Sequence, residues 1–384
     1  MTMADNPAGG SDLWIANSIS DLIQGDVREH LPIERIPLQG DVLGMGTTTS
    51  IDNGELAFLQ TPDGNSAIWK CQASDGGIRR LHPGDGSSNF PYVCFSSNAT
   101  GAGTRVDLSL LAAPPGARLQ DRVGDAITLL RQRGQLAEAP IYGLRLVANW
   151  RSLIITVASK LCMGQQRRNT SIASSEASGA TASRSIYELL QHYRLAADDP
   201  GNPDDPIRYL GRSLQWDCCG FWDTEPTSGR VTVPVEGAHL HLHGCSTDLR
   251  YGGHLHHEHP EIDLLELERL VLYSMQRIYQ LASDLAIEAL RLEEGQIHFS
   301  VCNRGSMDVS DVGVAVVIDN CYSSHRYLRL PWLSAGEAEA FSLNLPLTPG
   351  AHQVEVIADP ERHILEEQRL HLNNRMRLDL VIPS

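Results

Sequence analysis

The period of the apolar positions changes several times along the chain. A polar start over 1–12, bearing Gly and Pro, reads as disordered, and from Leu13 to about Arg35 the residues Leu13, Ile15, Ile19, Leu22 and Ile23 follow a helical spacing. Residues 39–110 carry short runs such as ELAFL, SAIWKC and NFPYVCF between Gly, Asn, Asp and Ser turns, which predicts a strand meander. A helix is expected over 119–135, with Val123, Ile127, Leu129 and Leu130 apolar, and then strands around IYGLRLVANW and LIITVAS. The Ser-, Ala- and Thr-rich stretch 163–184 predicts a long loop, and a short helix is expected near 185–195. β character returns in LQWDCCGFW and VTVPVEGAHLHLHGC.

Over 261–283 the residues Ile262, Leu265, Leu267, Leu270, Val271, Leu272, Met275, Ile278 and Leu281 form one broad helical face. Such a face is either a packed connector between domains or the surface of a homodimer. From residue 285 the period becomes 2, and seven short strands recur with Gly, Asn or Pro between them, the pattern of a β-sandwich. The expected class is α+β, with a β-rich domain over 13–260, a connecting helix over 261–284 and an all-β immunoglobulin-like sandwich over 285–384.

Composition narrows the partners. A length of 384 residues suits two or three domains, and 42% hydrophobic with 20% charged residues is ordinary for a globular protein. The formal charge of −16 argues against nucleic acid and anionic membranes as partners, since both need clustered Lys and Arg. The N-terminus has no basic and apolar leader pattern, and no stretch is apolar enough to span a bilayer, so the expected compartment is the cytoplasm. The eight cysteines form no CxxC pair and are expected as thiols, with Cys218-Cys219 as neighbours in a buried strand.

The chemistry concentrates in GAHLHLHGCSTDLRYGGHLHHEHPE, which holds seven of the fifteen histidines. In a strand His239, His241 and His243 share a face. The turn before Tyr251-Gly252-Gly253 brings His254 back on a neighbouring antiparallel strand. Three imidazoles with open positions suit Zn2+ in a catalytic site: metal ligands His241, His243 and His254. The competing reading is a histidine-rich surface, which His256, His257 and His259 fit better. His239 is either a substrate or supporting contact or a packed core histidine.

These residues resemble the acetolactate decarboxylases. In VEGAHLHLHGCSTDLRYGGHL the paired histidines, Ser246, Asp248, Gly252, Gly253 and His254 match the family pattern without a gap. Upstream, GDVLGMGTTTSIDNGE is similar to the family's glycine-rich hairpin, which places Thr48 and Glu55 on its active-site threonine and glutamate. The stretch SAIWKC through NFPYVCF and the GFW at 220–222 also fit. Tyr142, Arg145, Trp150 and Leu153 keep the frame of a further strand, but its final arginine, which holds the substrate near its carboxylate, is replaced by Thr156. The family's second glutamate has no counterpart. The C-terminal hundred residues resemble CARDB modules through DLAIEALRL, FSVCNRG, LPWLSAGEAEAF, the Asp359-Pro360 turn and Asn373-Asn374. Such modules serve as spacers or as surfaces that dock another protein or domain.

The resemblance implies a zinc-dependent lyase acting on a small molecule, a 2-hydroxy-3-oxo acid or related hydroxy-ketone. The metal would stabilise an enediolate, Glu55 would be the proton donor and Thr48 would hydrogen-bond a substrate oxygen. From the residues alone, Glu55 reads first as an exposed turn carboxylate, since Asp52-Asn53-Gly54 signals a hairpin. Two alternatives stay open. One is a divergent zinc enzyme of a biosynthetic pathway that isomerises, cleaves by retro-aldol or cyclises a larger substrate, and the other is a non-catalytic binding scaffold.

Overall fold

The computed structural model describes residues 11–23, 31–48, 54–82, 84, 89–97, 103–111, 117–158, 190–345, 347–362, 364, 366 and 372–383. The expected disordered start therefore lies outside the described residues as far as residue 10, as does the loop over 163–184. The chain divides into two compact units, Met1–Gln280 and Leu281–Ser384.

The first unit is built on a 14-stranded sheet. Its path runs from Gln215–Asp223 through Leu240–Ser246, Gly252–Leu255, Ile141–Ala158, Asp263–Leu281, Ser11–Ala16, Tyr92–Ser97, Gly44–Thr48, Gly54–Gln60 and Ser66–Gln72 to Ile78–Arg80. The far end returns toward the start. Gly77 bridges Tyr251, and Gly252 N donates to Gly76 O at 3.0 Å. This curling covers backbone groups that an open edge would expose. The 18-residue strand Ile141–Ala158 is the spine, because it pairs with Gln215–Asp223, Asp263–Leu281, Gly252–Leu255 and Leu190–Ala196 along different parts of its length. The helix Leu119–Gln132 buries Leu119, Val123, Ala126, Ile127 and Leu130, a spacing that makes one face. Gly124 allows Trp222 to lie against that helix, since a Cβ there would stand 2.9 Å from the indole.

Three expected helices are corrected. The segment expected as a connecting helix over 261–284 is the strand Asp263–Leu281. Its pairing with the spine shifts register between Val147 and Ala148, between Asn149 and Trp150, and between Trp150 and Ser152. Each irregularity displaces the inward positions, so the buried Leu267 and Leu270 stand three apart and imitate a helical period. The stretch from Leu13 is the strand Ser11–Ala16 followed by a five-residue helix, Ile19–Ile23, with Asn17 at φ 61° between them. Leu190–Ala196, expected as the end of a helix, is a strand, its partner residues supplied by the spine. Apart from single-turn 3-10 segments, Ile19–Ile23 and Leu119–Gln132 are the helices among the described residues, so the architecture is β-rich.

The second unit is a sandwich of two sheets. Leu285–Glu293, Gln296–Asn303 and Ala338–Leu343 form one, and Cys321–Leu333, Val309–Ile318, Gly350–Ala358 and Arg375–Ile382 form the other. Inward alternation places Ile287, Phe299, Val301, Val312, Val314, Val354 and Val356 between them. Asn303 Nδ2 donates to Met307 O at 2.7 Å and to Leu333 O at 3.2 Å, which ties the turn after its strand to the other sheet.

Candidate metal centre

Strand alternation assembles the site. His241 and His243 lie on the same face of Leu240–Ser246, and His254 is the cross-strand partner of His243. The strand beneath them is held close by Gly220, where a Cβ would fall 2.0 Å from His241 O. Each of His241, His243 and His254 offers a ring nitrogen, and all three nitrogens lie within 4.8 Å of one another.

The hydrogen bonds define what those nitrogens can do. His241 Nδ1 lies 2.5 Å from Val231 O and His243 Nδ1 lies 2.7 Å from Leu56 O. A carbonyl only accepts, so both Nδ1 atoms donate and both Nε2 atoms present lone pairs. These two Nε2 atoms are 3.2 Å apart. Two lone pairs at that distance repel unless a cation joins them. Protonation is disfavoured: burial holds His241 down at about 4 and His243 at about 3, and burial followed by the two neighbouring histidines holds His254 well below its ordinary range. Buried neutral imidazoles braced through Nδ1 by backbone carbonyls are the donor set that a divalent ion such as zinc accepts, and the residues fit the metal.

Glu55 stands over this set. Its Oε2 is 3.7 Å from His243 Nε2, and its Oε1 accepts from Ala158 N at 3.0 Å. Burial raises its pKa to about 8, against the lowering effect of the Ala158 bond. With the acid raised and the imidazole lowered, the contact joins two neutral groups in the metal-free protein and is not an ion pair. Thr48 is buried but pairs with Gly54, and Thr47 is the residue across from Glu55. Alternation therefore places Thr47, not Thr48, on the face of Glu55. Thr47 Oγ1 donates to Gly54 O at 2.9 Å. Tyr92, buried and paired with Thr47, lies on that same face.

Other expected residues fall elsewhere. His239 stacks on Trp222 with ring centroids 5.1 Å apart and its Nδ1 lies 2.7 Å from Asp223 O, a packing role. His257 is buried with its Nε2 2.9 Å from Leu240 O, so it braces the histidine strand and is no surface residue. Arg145 is buried, with Nε on Asp41 at 2.5 Å and its other nitrogens on Phe58 O and Val42 O, which removes it from substrate contact. Cys218 and Cys219 are buried free thiols on adjacent positions of one strand.

One row was not legible as a site. Cys219, His243, His254, Thr156 and His192 are successive cross-strand partners on five neighbouring strands. The signal for Thr47, Tyr92 and His192 lies only in strand register, which no local motif carries.

Comparison with known proteins adds the following. Residues 283–376 match the model of the CARDB family. The chain is similar to the solved α-acetolactate decarboxylase of Bacillus subtilis, at 14% identity over 70% of this chain and 88% of that one, with a TM-score of 0.44. A Staphylococcus aureus protein of unknown function, described as similar to α-acetolactate decarboxylase, matches at 13% identity over 70% and 88%, with a TM-score of 0.42. The CARDB domain of a Pyrococcus furiosus protein, solved with di-metal ions, matches at 19% identity over 26% and 88%, with a TM-score of 0.22. None of the curated proteins matches the chain. No helix among the described residues is long and apolar enough to cross a membrane.

Proposed function

We propose that the first unit is a zinc-dependent lyase for a 2-hydroxy-3-oxo acid or a related hydroxy-ketone, with His241, His243 and His254 as metal ligands. The observation that carries this reading is the convergence of three neutral imidazoles within 4.8 Å, two of them braced by backbone carbonyls, beside a buried carboxyl. The motif resemblance supports the same reading. Zinc held there supplies Lewis-acid polarisation of substrate oxygens.

The protein's own groups do the rest. Val231 O and Leu56 O fix the tautomers of His241 and His243, so their Nε2 atoms stay turned to the centre. Glu55 keeps its Oε1 on Ala158 N and leaves Oε2 toward the histidines, from which it can deliver a proton to the substrate carbon that loses CO2. Thr47 and Tyr92 wall the same face.

A second reading is a divergent enzyme of the same site, isomerising, cleaving or cyclising a larger substrate, and Thr156 beside His254 favours it by offering a hydroxyl where a charged partner would bind a carboxylate. The test is elemental analysis of wild type and His241→Ala, followed by turnover of hydroxy-ketones and 2-hydroxy-3-oxo acids. About one zinc per chain, lost in the variant, supports the site. No zinc in either protein after incubation with the metal removes the catalytic reading and leaves a binding scaffold. Full activity in Glu55→Gln rules out the proton-donor role.

A further inference from the structure

Beyond the three histidines, the row continues across two more strands. Thr156 is the cross-strand partner of His254 on one side and of His192 on the other, so all three side chains share one face of the sheet. Thr156 is 1% exposed, and its Oγ1 is buried without a hydrogen-bond partner in the protein. A buried hydroxyl without a partner costs free energy; several such atoms occur among the described residues, and Thr156 differs in standing directly beside His254 on the face of the triad. His192, the next in the row, is partly buried, and its ring lies 5.8 Å from that of His256. Burial first, and then the nearby His259, holds His192 below its ordinary pKa, so its ring is a neutral donor and acceptor.

We propose that Thr156 and His192 form a second oxygen-binding subsite beside the histidine triad, which takes a neutral hydroxyl or carbonyl at the far end of the substrate. The inference rests on the metal-site reading and deepens it by setting the substrate class. Neighbouring strands lie about 4.8 Å apart, so the row reaches roughly 5–10 Å beyond His254. A substrate that fills it is longer than the two adjacent oxygens that a metal chelates. It is also uncharged at that end. The guanidinium of Arg194, two residues along the same strand as His192, is taken up by Asp205 and Glu261, each at 2.6 Å, and Arg145 is bound to Asp41. Both arginines are thus already held by carboxylates, and the hydroxyl of Thr156 and the neutral ring of His192 offer hydrogen bonds rather than charge to the group that binds there.

The test uses the full chain loaded with Co2+, whose visible absorption reports ligands at the metal. Two neutral probes are titrated: hydroxyacetone, which has only the chelating oxygens, and erythrulose, which carries further hydroxyls. Wild type is expected to bind erythrulose more tightly. Thr156→Val, close to isosteric, is expected to weaken erythrulose about three- to tenfold, the worth of one hydrogen bond, with hydroxyacetone and cobalt content unchanged. Thr156→Ser restores the hydroxyl and is expected to recover erythrulose binding, and His192→Phe is expected to weaken erythrulose alone. Equal affinity of wild type for the two probes, or equal effects of Thr156→Val on both, overturns the subsite while cobalt uptake keeps the metal site intact. Failure of wild type to take up cobalt overturns the metal reading and this inference with it.

Discussion

The two units bury polar groups in different ways. In Leu281–Ser384 the buried polar side chains tie backbone at turns, as Asn303 does for Met307 and Leu333 and Asp359 does for Ile364 N at 2.7 Å. In Met1–Gln280 they converge on one sheet face, where two imidazole lone pairs meet and a threonine hydroxyl has no protein partner. The first arrangement serves the fold, although Ser283, Ser310, Glu355, Asn373 and Asn374 of that unit each keep a buried side-chain oxygen without a hydrogen-bond partner. The second leaves facing lone pairs that a cation would join. Buried atoms without a partner occur in both units, so what sets the first apart is the convergence of facing imidazole lone pairs, which folding alone gives no reason to retain.

The sharpest way to break this contrast is His243→Ala. It removes one nitrogen of the triad and is expected to lower zinc affinity by orders of magnitude, read by competition with a chromogenic chelator, while the thermal transition of the second unit stays in place. Unchanged zinc affinity would dissolve the distinction between the units. The mirror experiment is Phe299→Ala, in a ring 2% exposed and stacked on Phe341 at 5.1 Å. It is expected to cost the second unit about 3–5 kcal/mol in calorimetry with metal content unaltered. Arg145→Ala leaves Asp41 buried beside Tyr273, whose hydroxyl donates to it at 2.6 Å, and is expected to cost the first unit about 3–5 kcal/mol in urea unfolding.

The smallest expected effect is a pH slope in the metal-free protein. His241 and His243 sit at about 4 and about 3, below the ordinary imidazole value of 6.5, so the unfolded chain binds more protons between those limits. Their contribution is present above 6.5 and is lost as pH falls toward 3. Glu55 has the opposite sign. Its pKa is raised from 4.5 to about 8, so the native state holds the extra proton and stability falls as pH rises between these values. Metal-free Glu55→Gln is expected to lose that alkaline decline, worth at most about 1.4 kcal/mol per pH unit for one proton, in urea titrations between pH 5 and 8. A decline that persists in the variant would place its source in another group.

Much of the site could be read in the chain. HLH on a strand with His254 eleven positions beyond His243 brings three imidazoles together because strand alternation and a tight return are local rules. Glu55 is carried by a motif whose hairpin match points to Thr48, whereas register sets Thr47 opposite Glu55 and Thr48 opposite Gly54. His192 and Tyr92 sit far from the histidines in sequence and reach the face only through pairings that join distant segments. The helices expected over 261–284 and 185–195 failed for the same reason, since the long spine supplies partners that no window of sequence contains.

By itself, the sequence determined the seven-stranded sandwich, the amphipathic helix near 119–132, and which three imidazoles can share a metal. Those features depend on residues close in the chain, where periodicity and turn chemistry act directly. Only the tertiary structure decided that 263–281 is a strand, that Thr47 rather than Thr48 faces Glu55, and that Thr156 stands unpartnered between His254 and His192. Each of these follows from the register between strands far apart in sequence, where a shift of one residue turns a side chain to the opposite face.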